Sequence, residues 1–312
     1  MLPRDTYRQP DAPDPVLESR TVLELARRHV PSASSVTYVD ESGGEARAYF
    51  LDEDVVFKVQ RPHRLRPRTN LEKEAFFLNQ LEGCPEISVP RVLGYGKEGS
   101  VEYLCLTRMD GVAAQSVEIE GAGRTELMHR LGEALRRIHS LPQERFHASP
   151  LFPGVRSRAA FVDRVRTDLD EAVRAIQDDP ELWPFTAAPE EVAAEVLDAV
   201  PAQFDLVALH SNPGPEHTFV DPVTFEFTGL IDFGDAYIGH PATDCRWPRQ
   251  EDRLALLDTY LEGRADADQF MVVWRAVRIL SDMSAIAGRP DRRRQALESL
   301  AHLIGNGSAI EA

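Results

Sequence analysis

Phe227-Thr228-Gly229-Leu230-Ile231-Asp232-Phe233-Gly234-Asp235 is the stretch on which the reading of this chain turns. An apolar strand delivers an acid at its tip, and Gly234 lets the backbone turn at once. A carboxylate held there suits Mg²⁺, a hard cation that takes oxygen ligands in near-octahedral geometry. Asp-x-Gly is equally a common strand-ending turn, so both readings stay open on this stretch alone. Just upstream, Ala208-Leu209-His210-Ser211-Asn212-Pro213-Gly214-Pro215-Glu216-His217 follows another apolar run. Two prolines and a glycine fix the loop, and fixed polar loops often hold reacting groups. The plain alternative is a rigid turn with His210 as a core histidine.

A third stretch, Val55-Val56-Phe57-Lys58-Val59-Gln60, sets a lysine inside an apolar strand. An unpaired buried ammonium is costly, so Lys58 either faces solvent or has a partner. Strand alternation places it with Val56 and Gln60, opposite Val55, Phe57 and Val59. The helix that follows offers Glu74 as that partner. The chain has only three lysines, Lys58, Lys73 and Lys97, against 32 arginines, which makes each surviving lysine worth scrutiny.

Around these stretches the pattern is α+β. The first 15 residues, rich in proline and charge, read as a loose tail, and residues 16–29 as an amphipathic helix. Strands are expected over 35–39, 47–51 and 55–60, separated by turn signals. Thr69-x-x-Glu72 reads as a capping box opening a helix with Leu71, Ala75, Leu78 and Leu81 on its apolar face. Strands near 91–93 and 103–109 follow, and then the texture turns helical: 127–138, 161–176 and 190–200. A late β cluster covers 205–209, 218–221 and 227–231, and helices over 251–261, 267–287 and 290–304 close the chain. The arginines at 61, 64, 66 and 68 read as a solvated loop, and Asp163, Asp168 and Asp170 as a solvated helix face.

With 312 residues the chain exceeds one ordinary core and suggests two lobes. A net charge of −16 argues against a nucleic-acid partner. It suits a cationic small molecule as well as it serves solubility. No apolar run reaches the ~20 residues a membrane span needs, and the N-terminus lacks a signal peptide's apolar stretch. Cys84, Cys105 and Cys245 are odd in number and far apart, which fits a reducing cytoplasm rather than a disulfide framework. The expected home is the cytoplasm.

Taken in order, these features resemble the aminoglycoside phosphotransferase family of small-molecule kinases, across about 35–261. The resemblance implies a protein-kinase-like fold. Residues 1–109 would form a small β-rich nucleotide-binding lobe, and 110–312 a larger helical lobe with catalytic loop, metal site and acceptor site. VVFKVQ is similar to the strand whose lysine contacts the nucleotide phosphates, and LEKEAFFLNQL to the next helix, making Glu74 the partner of Lys58. EYLCLTRMDG resembles the hinge, with the Thr107 carbonyl and Met109 N–H reading adenine. LGEALRRIHSL resembles the helix before the catalytic region. LHSNPGPEH stands where the family has a His-x-Asp loop ending in Asn, and IDFGDA where it has the metal-binding segment of Asp232. HPATD resembles the segment whose last acid, here Asp244, braces the loop.

The implied cofactors are ATP or another nucleoside triphosphate with Mg²⁺. The implied partner is a small hydroxylated acceptor: an antibiotic, sugar or amino alcohol. Two departures stand out. Asn212 occupies the position of the catalytic Asp, and an amide takes no proton at neutral pH. His217 occupies that of the metal-binding Asn, and imidazole suits Mn²⁺ better than Mg²⁺. The leading expectation is a phosphotransferase using Asn212 and Asp232 at its reacting centre. A nucleotide-binding pseudokinase is the alternative, and a metal hydrolase built on His210, His217 and Asp232 a distant third, with no use for the Lys58–Glu74 pair.

Overall fold

The computed structural model describes residues 7–305 except Arg68 and Pro153. Helix α1 (Ser19–Ala26) precedes strands β1 (Val36–Asp40), β2 (Ala46–Leu51) and β3 (Val55–Gln60). Helix α2 (Leu71–Leu81) follows, then strands β4 (Val92–Glu98) and β5 (Val101–Thr107). The five strands form one antiparallel sheet in the order β1-β2-β3-β5-β4. Alternation sorts β3 as the sequence implies. Val55, Phe57 and Val59 join Val22, Leu25 and Ala26 of α1 in one apolar cluster, leaving Val56, Lys58 and Gln60 on the other face.

Four local expectations are corrected. The first helix is shorter than 16–29, because the Leu17 N–H is taken by the Tyr49 hydroxyl at 3.0 Å and the chain there stays extended. Asn70, not Thr69, caps α2: its side-chain oxygen accepts from the Lys73 N–H at 3.1 Å. Thr69 instead gives its hydroxyl to Asp235. The tail is pinned by Asp14, whose carboxylate takes Arg47 at 2.8 Å and Arg61 at 3.0 Å. Accordingly Arg61 is not a solvated loop residue. It is buried and also donates to the Gly43 carbonyl at 3.1 Å, tying down the β1–β2 turn. Arg66 pairs with Glu45 and, at 3.0 Å, with Asp235; Arg64 is exposed, and Arg68 lies outside the described residues.

Beyond Thr107 come β6 (Val112–Ala113) and helices α3 (Gly121–His139), α4 (Glu144–Ala148), α5 (Arg158–Asp178) and α6 (Pro189–Ala199). Short strands β7 (Val207–Leu209), β8 (Thr218–Val220), β9 (Phe227–Leu230) and β10 (Tyr237–Gly239) follow, then α7 (Gln250–Leu261), α8 (Ala267–Gly288) and α9 (Arg293–Gly305). Strands β6, β8 and β9 form one small antiparallel sheet, and β7 pairs with β10. The two small sheets hold the loops after β7 and β9 side by side. The helical core continues up to α2: the Phe77 ring lies 4.9 Å from both Phe146 of α4 and Phe233. No helix among the described residues is long and apolar enough to cross a membrane.

Candidate active site

Strand β3 carries Lys58 beside Ala48 of β2, and α2 presents Glu74 to it. Lys58 Nζ lies 2.6 Å from Glu74 Oε2 and 2.8 Å from Asp232 Oδ1. Glu74 is buried, so a carboxylate there is tolerable only with its charge matched. Burial depresses the Lys58 ammonium, but the two carboxylates outweigh it and raise its pKa above the ordinary value. Burial likewise raises Asp232, yet Lys58 and His217 outweigh it and hold the carboxyl well below the usual range. Asp232 also adopts a left-handed backbone, φ 70°, uncommon for a residue with a side chain.

His217 ends the loop after β7. Its Nδ1 donates to the Asn212 carbonyl at 2.8 Å, so Nε2 is the nitrogen that faces Asp232 Oδ2, 3.4 Å away. A ring nitrogen and a carboxylate oxygen converging in this way are a fitting pair of ligands for a divalent cation. No cluster of three or more His, Cys, Asp or Glu side chains suited to a metal occurs among the described residues. A cation here would therefore complete its shell with phosphate oxygens and water, as Mg²⁺ commonly does.

The loop itself is braced from beneath. Asp244 is fully buried; Oδ2 accepts from the His210 N–H at 2.7 Å and Oδ1 from the Ser211 N–H at 2.8 Å. His139, at the end of α3, holds Asp244 Oδ2 at 3.1 Å and meets the Tyr260 hydroxyl at 2.9 Å through its other nitrogen. Ser211, left-handed at φ 78°, gives its hydroxyl to the Asp235 carbonyl at 3.0 Å. His210 gives Nε2–H to the Ile231 carbonyl at 3.0 Å, and its ring lies 4.4 Å from Phe233. Burial lowers His210 to about 4, so it stays neutral and serves as a joint between the two loops. That assigns it the structural role left open by the sequence.

Asn212 stands beside His217, and Arg246 reaches over it: a guanidinium nitrogen lies 2.9 Å from Asn212 Oδ1 and also donates to the Ser211 carbonyl. Thr107 ends β5 at the far end of the sheet, and Met109 follows two residues beyond it. Thr107 pairs with Val55, about 10 Å along the strand direction from Lys58 at the usual rise per residue. Its N–H and hydroxyl are both engaged with Arg91, at 2.9 and 2.8 Å. The Met109 N–H makes no backbone hydrogen bond among the described residues, and half-buried Phe50 and Val56 share the face of Lys58. The structure thus gathers Lys58, Glu74, Asp232 and His217 within direct reach, sets Asn212 next to them, and leaves Thr107 at the far end of the same sheet with Met109 just beyond its strand.

A family model described as the phosphotransferase enzyme family matches residues 39–280. The chain belongs to that family. Its class is that of small-molecule kinases acting on hydroxyl groups. The sequence of this phosphotransferase matches none of the curated proteins. Among solved structures it resembles the GDP complex of wild-type aminoglycoside 2'-phosphotransferase-IIIa, at 17% identity and a TM-score of 0.64, over 93% of this chain and 99% of that one. It also resembles the macrolide 2'-phosphotransferase MphH from Brachybacterium faecium, at 22% identity and a TM-score of 0.57, over 91% and 97%. A third neighbour is the streptomycin–ATP–APH(2")-IIa ternary complex, at 14% identity and a TM-score of 0.57, over 93% and 97%. At such identities the likeness establishes the kinase-like fold.

Two residues of the candidate site were not anticipated from sequence: His139 and Arg246. His139 sits in a helix that reads as ordinary amphipathic pattern. Arg246 is one of 32 arginines, and only its place two residues beyond Asp244 sets it apart.

Proposed function

We propose that this phosphotransferase moves the γ-phosphate of a nucleoside triphosphate to a hydroxyl of a small molecule. The observation that carries the reading is the convergence of Lys58, Glu74, Asp232 and His217 at one end of the sheet face. Phosphoryl transfer passes through a loose transition state, so catalysis is mainly positioning and charge neutralisation. Lys58, steadied by Glu74, would hold phosphate oxygens. The Thr107 carbonyl and Met109 N–H would receive the base, against Phe50 and Val56. Asp232 and His217 would hold Mg²⁺ or Mn²⁺, which would supply positive charge to offset that of the phosphates. The acceptors of the neighbours, streptomycin among them, suggest a hydroxylated antibiotic or sugar, and the acidic net charge favours a cationic one.

Asn212 favours a second reading, a nucleotide-binding pseudokinase, because its amide orients a hydroxyl without taking the proton. Purified protein with ATP and divalent metal, screened against hydroxylated antibiotics, sugars and amino alcohols, decides between them. ATP consumption that depends on one acceptor establishes the kinase. Nucleotide binding without transfer, in both the native chain and Asn212→Asp, establishes the pseudokinase. Absence of nucleotide binding overturns both.

A further inference from the structure

Asn212 is a half-buried carboxamide with two chemically distinct ends, and the structure commits one of them. The Arg246 guanidinium only donates hydrogen bonds, so the atom facing it at 2.9 Å has to be the side-chain oxygen. That leaves the NH₂ group, which has no hydrogen bond among the described residues, as the end available to a bound molecule. Arg246 itself forms no salt bridge among the described residues, and its two acceptors, Asn212 Oδ1 and the Ser211 carbonyl, are both neutral. Its backbone is fixed by an N–H bond to the Asp244 carbonyl at 2.7 Å, so the brace that holds the loop from beneath also aims the arginine.

We infer that Arg246 is a positioning residue that turns the Asn212 amide so that its NH₂ group, a donor, meets the reacting oxygens. This rests on the phosphotransferase reading above and deepens it. Where a carboxylate would accept from the acceptor hydroxyl, this loop presents a donor backed by the Arg246 guanidinium. The site therefore holds the acceptor oxygen through one of its lone pairs, and the hydroxyl hydrogen receives nothing from residue 212. The acceptors that fit best present an oxygen lone pair toward Asn212 with their hydroxyl hydrogen turned away from it.

The test uses the full chain with four variants: Arg246→Met, Arg246→Lys, Asn212→Ala and the Asn212→Ala/Arg246→Met double. With an acceptor from the screen, Arg246→Met should lower kcat roughly tenfold to a hundredfold, as misplaced reacting groups do, with nucleotide affinity unchanged. Arg246→Lys, which can still donate to the amide oxygen, should retain most of the rate. In the Asn212→Ala background Arg246→Met should bring no further loss. The Asn212 side-chain amide signal of ¹⁵N-labelled protein, assigned by its disappearance in Asn212→Ala, should move to the free-amide position in Arg246→Met. An equal rate loss in both backgrounds, or an amide signal that ignores Arg246→Met, overturns the proposal. If neither the native chain nor Asn212→Asp phosphorylates any acceptor, the phosphotransferase reading fails on kinetics, while the amide signal still decides the clamp.

Discussion

Lys58 Nζ and Asp232 Oδ1 lie 2.8 Å apart although 174 residues separate them in the chain. This contact joins the five-stranded sheet to the loop after β9, and Glu74 completes it from the side. Under the proposed function Lys58→Ala removes a charge-assisted phosphate contact, so nucleotide affinity should fall by about 1.5–3 kcal/mol. It also strands Glu74, whose burial already pushes its carboxyl up, without its cation. A stability loss of about 3 kcal/mol should accompany it, the usual consequence of breaking a buried pair. Calorimetry and denaturant unfolding check the two effects, and unchanged nucleotide affinity removes Lys58 from the phosphate site.

Asp232→Asn keeps the size of the side chain and removes its charge. Nucleotide binding should then lose its dependence on divalent metal, measured as affinity with and without Mg²⁺. His217→Asn exchanges imidazole for an amide oxygen and should shift preference from Mn²⁺ toward Mg²⁺. An identical metal profile in the native chain and both variants would rule out this pair of ligands.

Asp244→Ala leaves the N–H groups of His210 and Ser211 buried without an acceptor. Each such orphan costs about 1–3 kcal/mol, so the denaturation midpoint should fall by the equivalent of about 3 kcal/mol at unchanged slope. Asp244→Asn, which keeps one acceptor oxygen, should lose less. A native-like midpoint in Asp244→Ala would show that the brace contributes nothing.

Stability should decline as pH drops below the ordinary histidine value. Burial holds His210 near 4 and His240 near 3 in the folded protein, from 6.5. Between 6.5 and those values the unfolded chain binds protons that the folded chain refuses, so unfolding gains with acid. The contribution is complete above pH 6.5 and falls by up to about 1.4 kcal/mol per ring per pH unit below it. His240→Asn can still cap the turn where the His240 ring accepts from the Ala242 N–H, and it removes one titrating ring. Urea midpoints from pH 4.5 to 7 should therefore flatten in that variant; an unaltered slope would contradict it.

The strands, helices and their order were legible because apolar periodicity decides them, and VVFKVQ shows it most plainly. Its alternation sorts the chain into an α1-facing row and a row that carries Lys58. The capping box misled because local spacing cannot register a partner 166 residues away: Asp235 claims the Thr69 hydroxyl, and the cap passes to Asn70. The same holds for Arg61 and Arg66, which look like a solvated run in sequence and become anchors only once Asp14, Glu45 and Asp235 fold onto them. Within the site, residues that bring their own chemistry to a strand tip were visible. His139 and Arg246 were not, because only their contacts set them apart: Asp244 and Tyr260 for the one, the Asn212 amide for the other.

The scarcity of lysine has a practical side once each one is placed in space. Lys73 is 1% exposed, Lys58 has 15% of its side chain accessible, and Lys97 has 52%. An amine-directed reagent in solution would thus find one open lysine, on the outer strand β4. A nucleotide bearing an acylating group on its last phosphate would find a different one, Lys58. The two chemistries partition between the surface and the sheet interior, so the molecule can be tethered or dyed at Lys97 with the Lys58 ammonium left untouched.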